Sequence, residues 1–292
     1  MSTSLIGGVR PSRWRRLRRR MRGGTWPTDV TPPAKPDQPP GWKLAPPDFV
    51  GVGVQRAGTS WWFGLLAEHP DIASPNGRRK ELHYFDEFWR KEFDEAARRE
   101  YCSYFPRPPG QLAGEWTPRY MHDGWTPALL AAAAPETKLL ILLRDPVDRY
   151  LSGLTFALSR GASLNPIVAS DAFTRGLYSE QLARLLGHFD KSQLLVLQFE
   201  RCIKAPQEQL SRTFDFLGID DHQIGSSTPR VNASYRSKPT LREADIQRLV
   251  LAYEDDVRAL ARDLPEIDLE LWTHFSHLGG AVAAAEHVGR ES

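Results

Sequence analysis

Cysteine is scarce in these 292 residues: Cys102 and Cys202 are the only two, enough for one disulfide at most. A disulfide scaffold is excluded, and a cysteine-built metal cluster is not expected. No apolar run approaches the ~18 residues that span a bilayer. There is no collagen-like period, no coiled-coil heptad and no internal repeat. What remains is ordinary globular composition, with 41% hydrophobic and 25% charged residues. The length suits one large domain or one domain with appendages, because single cores stop growing near ~250–300 residues.

Acidic residues are missing from positions 1–22, which hold eight arginines. The formal charge of +2 therefore hides an asymmetry. Setting those arginines aside leaves 30 basic against 36 acidic residues, so the body from residue 23 carries −6. That balance argues against nucleic acid as a partner. Trp14, Leu17 and Met21 interleave the arginines. The plain reading is a solvated tail, and weak contact with a membrane surface is the alternative. No apolar core follows the arginines, so a secretory signal is not indicated and a cytoplasmic location is expected. Seven prolines between Thr31 and Pro47 read as an extended linker. The expected organisation is a disordered basic arm and linker over 1–47, a catalytic domain over 48–278 and a flexible tail over 279–292.

Short apolar runs alternate with helical patterns. Phe49–Val54, Lys138–Leu143 and Gln193–Phe199 read as buried strands. Helices are expected over Ser60–Glu68, Phe88–Tyr101, Thr126–Ala134, Pro146–Ser159, Gly176–Gly187, Pro206–Leu217 and Leu241–Arg262, the sixth stopped by Gly218. This alternation predicts an α/β fold, a parallel sheet flanked by helices as in phosphate-loop NTPases. Ligands of such sheets sit at the carboxyl ends of the strands.

Two motifs begin at those ends. After the first strand the chain reads Gly53-Val54-Gln55-Arg56-Ala57-Gly58-Thr59-Ser60, with the glycine spacing of a phosphate loop between a strand and a helix. Backbone N–H groups at a helix N-terminus attract anions without side-chain help. Thr59 stands where that loop usually has lysine, and the nearest cation is Arg56. An ordinary glycine turn is the alternative. The second strand ends in Leu143-Arg144-Asp145-Pro146-Val147-Asp148-Arg149-Tyr150-Leu151-Ser152. Arg144 ends a strand of aliphatic residues, and Ser152 lies two turns into the next helix. A guanidinium fork and a hydroxyl suit one anion. Asp145 reads as a helix cap and Arg149 as a solvated helix residue.

With both motifs in place, the sequence resembles the sulfotransferases. Gly-Val-Gln-Arg-Ala-Gly-Thr-Ser-Trp-Trp looks like their 5′-phosphosulfate loop, and Arg144 to Gly153 like their 3′-phosphate motif. Lys80-Glu81-Leu82-His83-Tyr84-Phe85-Asp86 and Glu115-Trp116-Thr117-Pro118-Arg119-Tyr120 resemble segments of the glycan-modifying, heparan sulfate branch. The resemblance spans about 48–239. It implies 3′-phosphoadenosine 5′-phosphosulfate (PAPS) as donor and no metal. Arg56 replaces the usual lysine, and the late basic loop is matched only loosely, by Arg230 and Lys238.

The implied chemistry is in-line transfer of a sulfuryl group to a hydroxyl or amine of a saccharide, glycolipid or small molecule. It needs a base for the attacking group and cations for the departing charge. By resemblance Glu81 is the base, with His83 second; a histidine bonded for structure alone is the other reading of His83. Arg56 and Lys80 stabilise the developing charge. Gln55, Arg56, Ala57, Gly58, Thr59 and Ser60 hold the 5′ end, Arg144 and Ser152 the 3′-phosphate, with Arg230 and Lys238 covering the nucleotide. Trp61, Trp62, Trp89, Trp116 and Trp125 are either a stacking floor for the acceptor or core. Two other readings compete: a phosphate-loop kinase or NTPase using Asp145 for magnesium, and a non-catalytic module working through the basic arm.

Overall fold

The structure, a computed structural model, describes residues 32–73, 80–223, 225 and 241–279. Five strands form one parallel sheet: β2 (Phe49–Gly53), β3 (Ile72–Ala73), β5 (Leu112–Trp116), β6 (Lys138–Leu143) and β7 (Leu194–Gln198), in the order β3-β5-β2-β6-β7. β2, β6 and β7 are almost wholly apolar, β2 mixing Phe49 and glycines with valines, and have almost no exposed face. Only a sheet covered on both sides asks for such strands. The covering helices are α1 (Thr59–Leu66), α2 (Glu95–Cys102), α3 (Thr126–Ala133), α4 (Pro146–Ser159), α5 (Pro166–Thr174), α6 (Tyr178–Leu186), α7 (Phe199–Lys204), α8 (Pro206–Leu217) and α9 (Glu243–Asp263).

The chain runs from β2 outward to β3 and β5, then crosses to β6 and β7 on the other side of β2. Winding thus reverses beside β2, where such sheets open a crevice for ligands. The loops after β2 and β6 are neighbours because those strands pair directly, Val50 with Leu139 and Gly51 with Leu140.

Strands β3 and β5 do not stand out in the sequence. β3 has two residues and β5 carries Gly114 and Glu115 in its middle, so neither shows the aliphatic run of its neighbours. Helix α5 is likewise short and partly exposed. Of the helix expected over Phe88–Tyr101, residues 88–94 are turns and irregular chain after a 3-10 turn at Tyr84–Glu87, and the helix starts only at Glu95. Asp94 sets that start, its carboxylate accepting from the Ala97 N–H at 2.8 Å.

Within the proline-rich stretch, Lys43–Leu44 (β1) pairs antiparallel with Pro106–Arg107 (β4). The buried Arg107 guanidinium donates to the carbonyls of Ala45 and Pro46 and to Asp48. Arg149, expected in solvent, is fully buried on α4. Its Nη2 donates to the Ala172 carbonyl in the last turn of α5. The partial negative charge of that helix end is what accommodates a buried cation there.

Close packing at the sheet centre leaves a clear test. A Cβ on Gly51 would lie 1.9 Å from the Trp116 ring, itself fully buried. Gly51→Ala is expected to cost roughly 2–4 kcal/mol of stability, seen as a lower denaturant midpoint with an unchanged slope.

Candidate active site

The loop between β2 and α1 turns tightly because two residues take the left-handed backbone, Arg56 (φ 75°) and Gly58 (φ 88°). Glycine is required at 58 for a second reason: a Cβ there would lie 2.4 Å from the Phe199 ring. The Gly58 carbonyl receives the N–H groups of Trp61 and Trp62 at 3.0 and 3.2 Å, which starts α1. The first amides of a helix have no intrahelical acceptor and face outward, so the loop and helix end form an anion cradle. Arginine in the left-handed region is uncommon, a feature that concentrates at working sites.

Arg56 reaches across to α4. Its Nε donates to Ser152 Oγ at 3.2 Å, and its guanidinium lies 4.8 Å from the Phe156 ring centre. Arg144, at the end of β6, comes to the same place from the next strand. Its Nη1 donates to the Arg56 carbonyl at 3.3 Å, Nη2 stands 3.5 Å from Asp148, and the guanidinium lies over Phe199 at 5.1 Å. Among the described residues its buried Nε has no hydrogen-bond partner.

On the opposite flank of the loop, Lys80 Nζ donates to Thr59 Oγ1 at 2.8 Å and Ser60 Oγ at 3.1 Å, and pairs with Glu81 at 2.7 Å. Burial lowers the Lys80 pKa, Glu81 opposes that, and the charge of Arg56 adds to it. Glu81 binds His83 Nε2 at 3.0 Å through its other oxygen, and His83 Nδ1 binds Asp86 at 3.0 Å. The largest single influence on Glu81 is burial, which raises its pKa, yet the His83 bond and Lys80 together prevail and hold it at about 2. Burial likewise works against His83, but Asp86 and Glu81 raise it to about 9.

These residues are not on a strand, as alternation between Glu81 and His83 suggests. His83 is left-handed (φ 54°) and opens a 3-10 turn, which brings Asp86 round to its ring. The irregular backbone is tied to β5 instead. Trp116 N–H donates to the Lys80 carbonyl at 2.8 Å, and Leu82 N–H donates to Glu115 at 3.1 Å and Thr117 at 3.0 Å. Glu115 is buried, and loss of solvent pushes its carboxyl up to about 7 despite bonds from Thr117, Leu82 and Tyr101.

The fold thus brings Gln55, Arg56, Ala57, Gly58, Thr59 and Ser60 into one loop, sets Arg144 and Ser152 on one side, and Lys80, Glu81 and His83 on the other. Arg230 and Lys238 lie outside the described residues. Asp86, inside the quoted Lys80–Asp86 segment, was not singled out in the sequence; its spacing of three from His83 is the signal that a 3-10 turn makes meaningful. Trp61, Trp62 and Trp116 are core rather than floor, Trp125 bonds the Phe85 carbonyl, and Trp89 is exposed. Among the described residues no group of histidine, cysteine, aspartate and glutamate is arranged to hold a metal ion, and no helix is long and apolar enough to cross a membrane.

The family model described as the sulfotransferase domain matches residues 46–247. Heparan sulfate glucosamine 3-O-sulfotransferase 3B1 of Mus musculus is 32% identical over 188 residues, which is 59% of this chain and 46% of that protein. Heparan sulfate glucosamine 3-O-sulfotransferase 6 of Homo sapiens is 30% identical over 187 residues, 59% of this chain and 52% of that protein. The chain spans about half the length of these curated relatives. Among solved structures, a sulfotransferase from Alicyclobacillus acidocaldarius shares the fold, with a TM-score of 0.62, 24% identity, and coverage of 78% of this chain and 99% of that one.

The charge relay can be titrated. The His83 ring is expected to lose its proton near pH 9 by NMR, and Glu81→Gln to move that midpoint back toward 6.5. The signs give the stability window. His83, raised on folding, contributes fully below pH 6.5 and loses its contribution as pH rises through about 9. Glu81, lowered on folding, contributes fully above 4.5 and loses it as pH falls toward about 2. A His83 midpoint at 6.5 in the native protein would refute the relay.

Proposed function

Because the chain belongs to the sulfotransferase domain family, we propose that it moves a sulfuryl group from PAPS to a hydroxyl of a saccharide acceptor by in-line displacement. The observation that carries this reading is the meeting of Arg56, Arg144 and Ser152 at the ends of two neighbouring strands. Two cations placed 88 residues apart in sequence converge beside an anion cradle. That arrangement fits a ligand with an anionic group at each end. The buried Nε of Arg144, without a partner among the described residues, fits the 3′-phosphate, and the glycine turn with Arg56 fits the 5′ end. Lys80 sits against Thr59 and Ser60, where it would meet the same 5′ group.

The donor supplies an activated sulfuryl group, and the chain supplies charge and a proton acceptor. Arg56 and Lys80 offset the negative charge that gathers on the departing side. Glu81 is ionised throughout the neutral range, whereas His83 is protonated there. That supports Glu81 as the base and His83 as the residue that aims it, with Asp86 fixing the ring. A carboxylate this acidic is a poor proton acceptor while Lys80 and His83 hold it. A hydroxyl that takes the place of the Lys80 contact removes one of the influences that lower it, so its proton affinity rises when substrate arrives. The names of the glucosamine 3-O-sulfotransferase relatives support a saccharide hydroxyl as acceptor. The kinase reading loses its metal ligand: the Asp145 carboxylate accepts from the Val147 and Asp148 N–H groups and from His274.

The test is donor-dependent sulfation of a panel of saccharides, together with calorimetry using adenosine 3′,5′-bisphosphate. Arg56→Ala and Arg144→Ala are each expected to weaken the bisphosphate by roughly 10–100-fold. Glu81→Gln is expected to lower kcat by about 10²–10⁴-fold with bisphosphate binding retained. Normal turnover by Glu81→Gln removes Glu81 as the base, and no bisphosphate binding by the native protein removes the donor.

A further inference from the structure

We propose that the dipeptide Phe199–Glu200, at the carboxyl end of β7, is the positioning unit that keeps the two donor grips in register, Phe199 serving both ends and Glu200 the 3′-phosphate end. The inference rests on the donor reading given above. Neither residue is placed against reacting atoms, and each acts through others.

Arg144 follows the last residue of β6 and is followed by Asp145, which caps α4, so its direction is set by the Arg144–Asp145 peptide. Both polar atoms of that peptide are held. Tyr178 Oη donates to the Arg144 carbonyl at 2.8 Å, and the Asp145 N–H donates to Glu200 Oε1 at 3.0 Å. The other Glu200 oxygen accepts from Nε1 of the fully buried Trp272 at 2.9 Å. Glu200 therefore faces two N–H donors with two acceptor oxygens. Glutamine offers one acceptor and an NH₂ in that place, so only a carboxylate satisfies both.

Placing that carboxylate here is unfavourable for the folded state on its own terms. Burial, and to a smaller degree the charge of Asp145, push its pKa up to about 7. Asp145 is at the same time occupied by the α4 amides and His274. A neutral buried residue avoids that cost, so the dual acceptor geometry is what the position supplies.

Phe199 joins the second grip to the first. Its ring lies beneath the Arg144 guanidinium at 5.1 Å, and it occupies the space that any side chain at Gly58 would need, with ring atoms 2.4 and 2.8 Å from the hypothetical Cβ. Trp61, in the first turn of α1, packs edge-on against the same ring at 6.3 Å. One flat, rigid side chain thus meets the phosphate loop, the first turn after it and the arginine of the neighbouring strand.

The experiment uses two probes by calorimetry, adenosine 3′,5′-bisphosphate and adenosine 5′-monophosphate, on the full chain. Glu200→Gln is expected to weaken the bisphosphate about ten-fold while the monophosphate stays within about two-fold. Phe199→Leu is expected to weaken both probes about five-fold or more. In steady state the donor KM rises for each variant, with kcat and acceptor KM within about two-fold. If Glu200→Gln does not fold, Tyr178→Phe carries the same test, since it removes the other half of the clamp and predicts the same selective loss of the bisphosphate. Variants that bind both probes as the native protein does, with only the melting temperature lowered, overturn the inference while leaving the donor reading intact. Equal weakening of both probes by Glu200→Gln overturns its assignment to the 3′ end. A native protein that binds neither probe overturns the donor reading and this inference with it.

Discussion

Two arginines from neighbouring strand ends, joined by a hydrogen bond from the Arg144 guanidinium to the Arg56 backbone carbonyl, set the terms for this molecule. Arg144 donates to the backbone of Arg56, and the side chain of Arg56 turns away to a serine and a phenylalanine. Like charges brought to one place repel unless solvent or an anion screens them. Asp148 stands 3.5 Å from Arg144 and is partly exposed. Direct pairing of β2 with β6 forces the juxtaposition, since each arginine lies at or just beyond the carboxyl end of its strand. The remainder of the site reads as a response to that concentration of positive charge. Ring faces lie under both guanidiniums, a cradle of amides lies beside them, and a lysine on the far flank is damped by Glu81.

The carboxylates are arranged in complementary fashion. Lys80, Glu81, His83 and Asp86 alternate in charge along one irregular segment, so Glu81 is ionised and its neighbour His83 protonated over the same range of pH. That alternation is local, yet its placement is not. Apart from the 3-10 turn, the segment has no strand or helix to hold it and is fixed through the buried Glu115 on β5 and Thr117 just after it. A site of this kind depends on long-range hydrogen bonds more than on the propensities of its own residues.

How much of this was legible follows from the physics of each part. β2, β6 and β7 announced themselves because a strand buried on both faces must be apolar almost throughout. Helices α4 and α8 matched to the residue because proline opens each and, for α8, glycine closes it. The phosphate loop and Arg144 were readable because strand, glycine turn and helix occur in an order that few other structures need. Strand β5 was not, since it carries glycine for close approach to Phe49 and a glutamate for a bond that lies elsewhere in the sequence. Arg149 misled because a charged residue on an amphipathic helix usually faces water, and the helix end that receives it, at Ala172, is 23 residues away. Tyr178 and the Leu194–Glu200 run fall in segments whose order resembles the family's, but how Phe199, Glu200 and Tyr178 meet Arg144 becomes visible only when β7 and α6 are placed beside β6.

The sheet has a second edge, and Arg107 belongs to it. That guanidinium fastens residues 45–48 at the amino ends of the strands, where Asp48 also accepts from the Ala113 N–H and passes its own carbonyl to Lys138. No group named in the chemistry lies there. The two rims of one sheet thus differ, one clamping the chain and the other carrying the candidate site, with about a strand's length of core between them. Sequence drift along the clamping rim changes how long the molecule lasts, whereas drift along the other changes what it recognises, and a lineage can alter either without first renegotiating its counterpart.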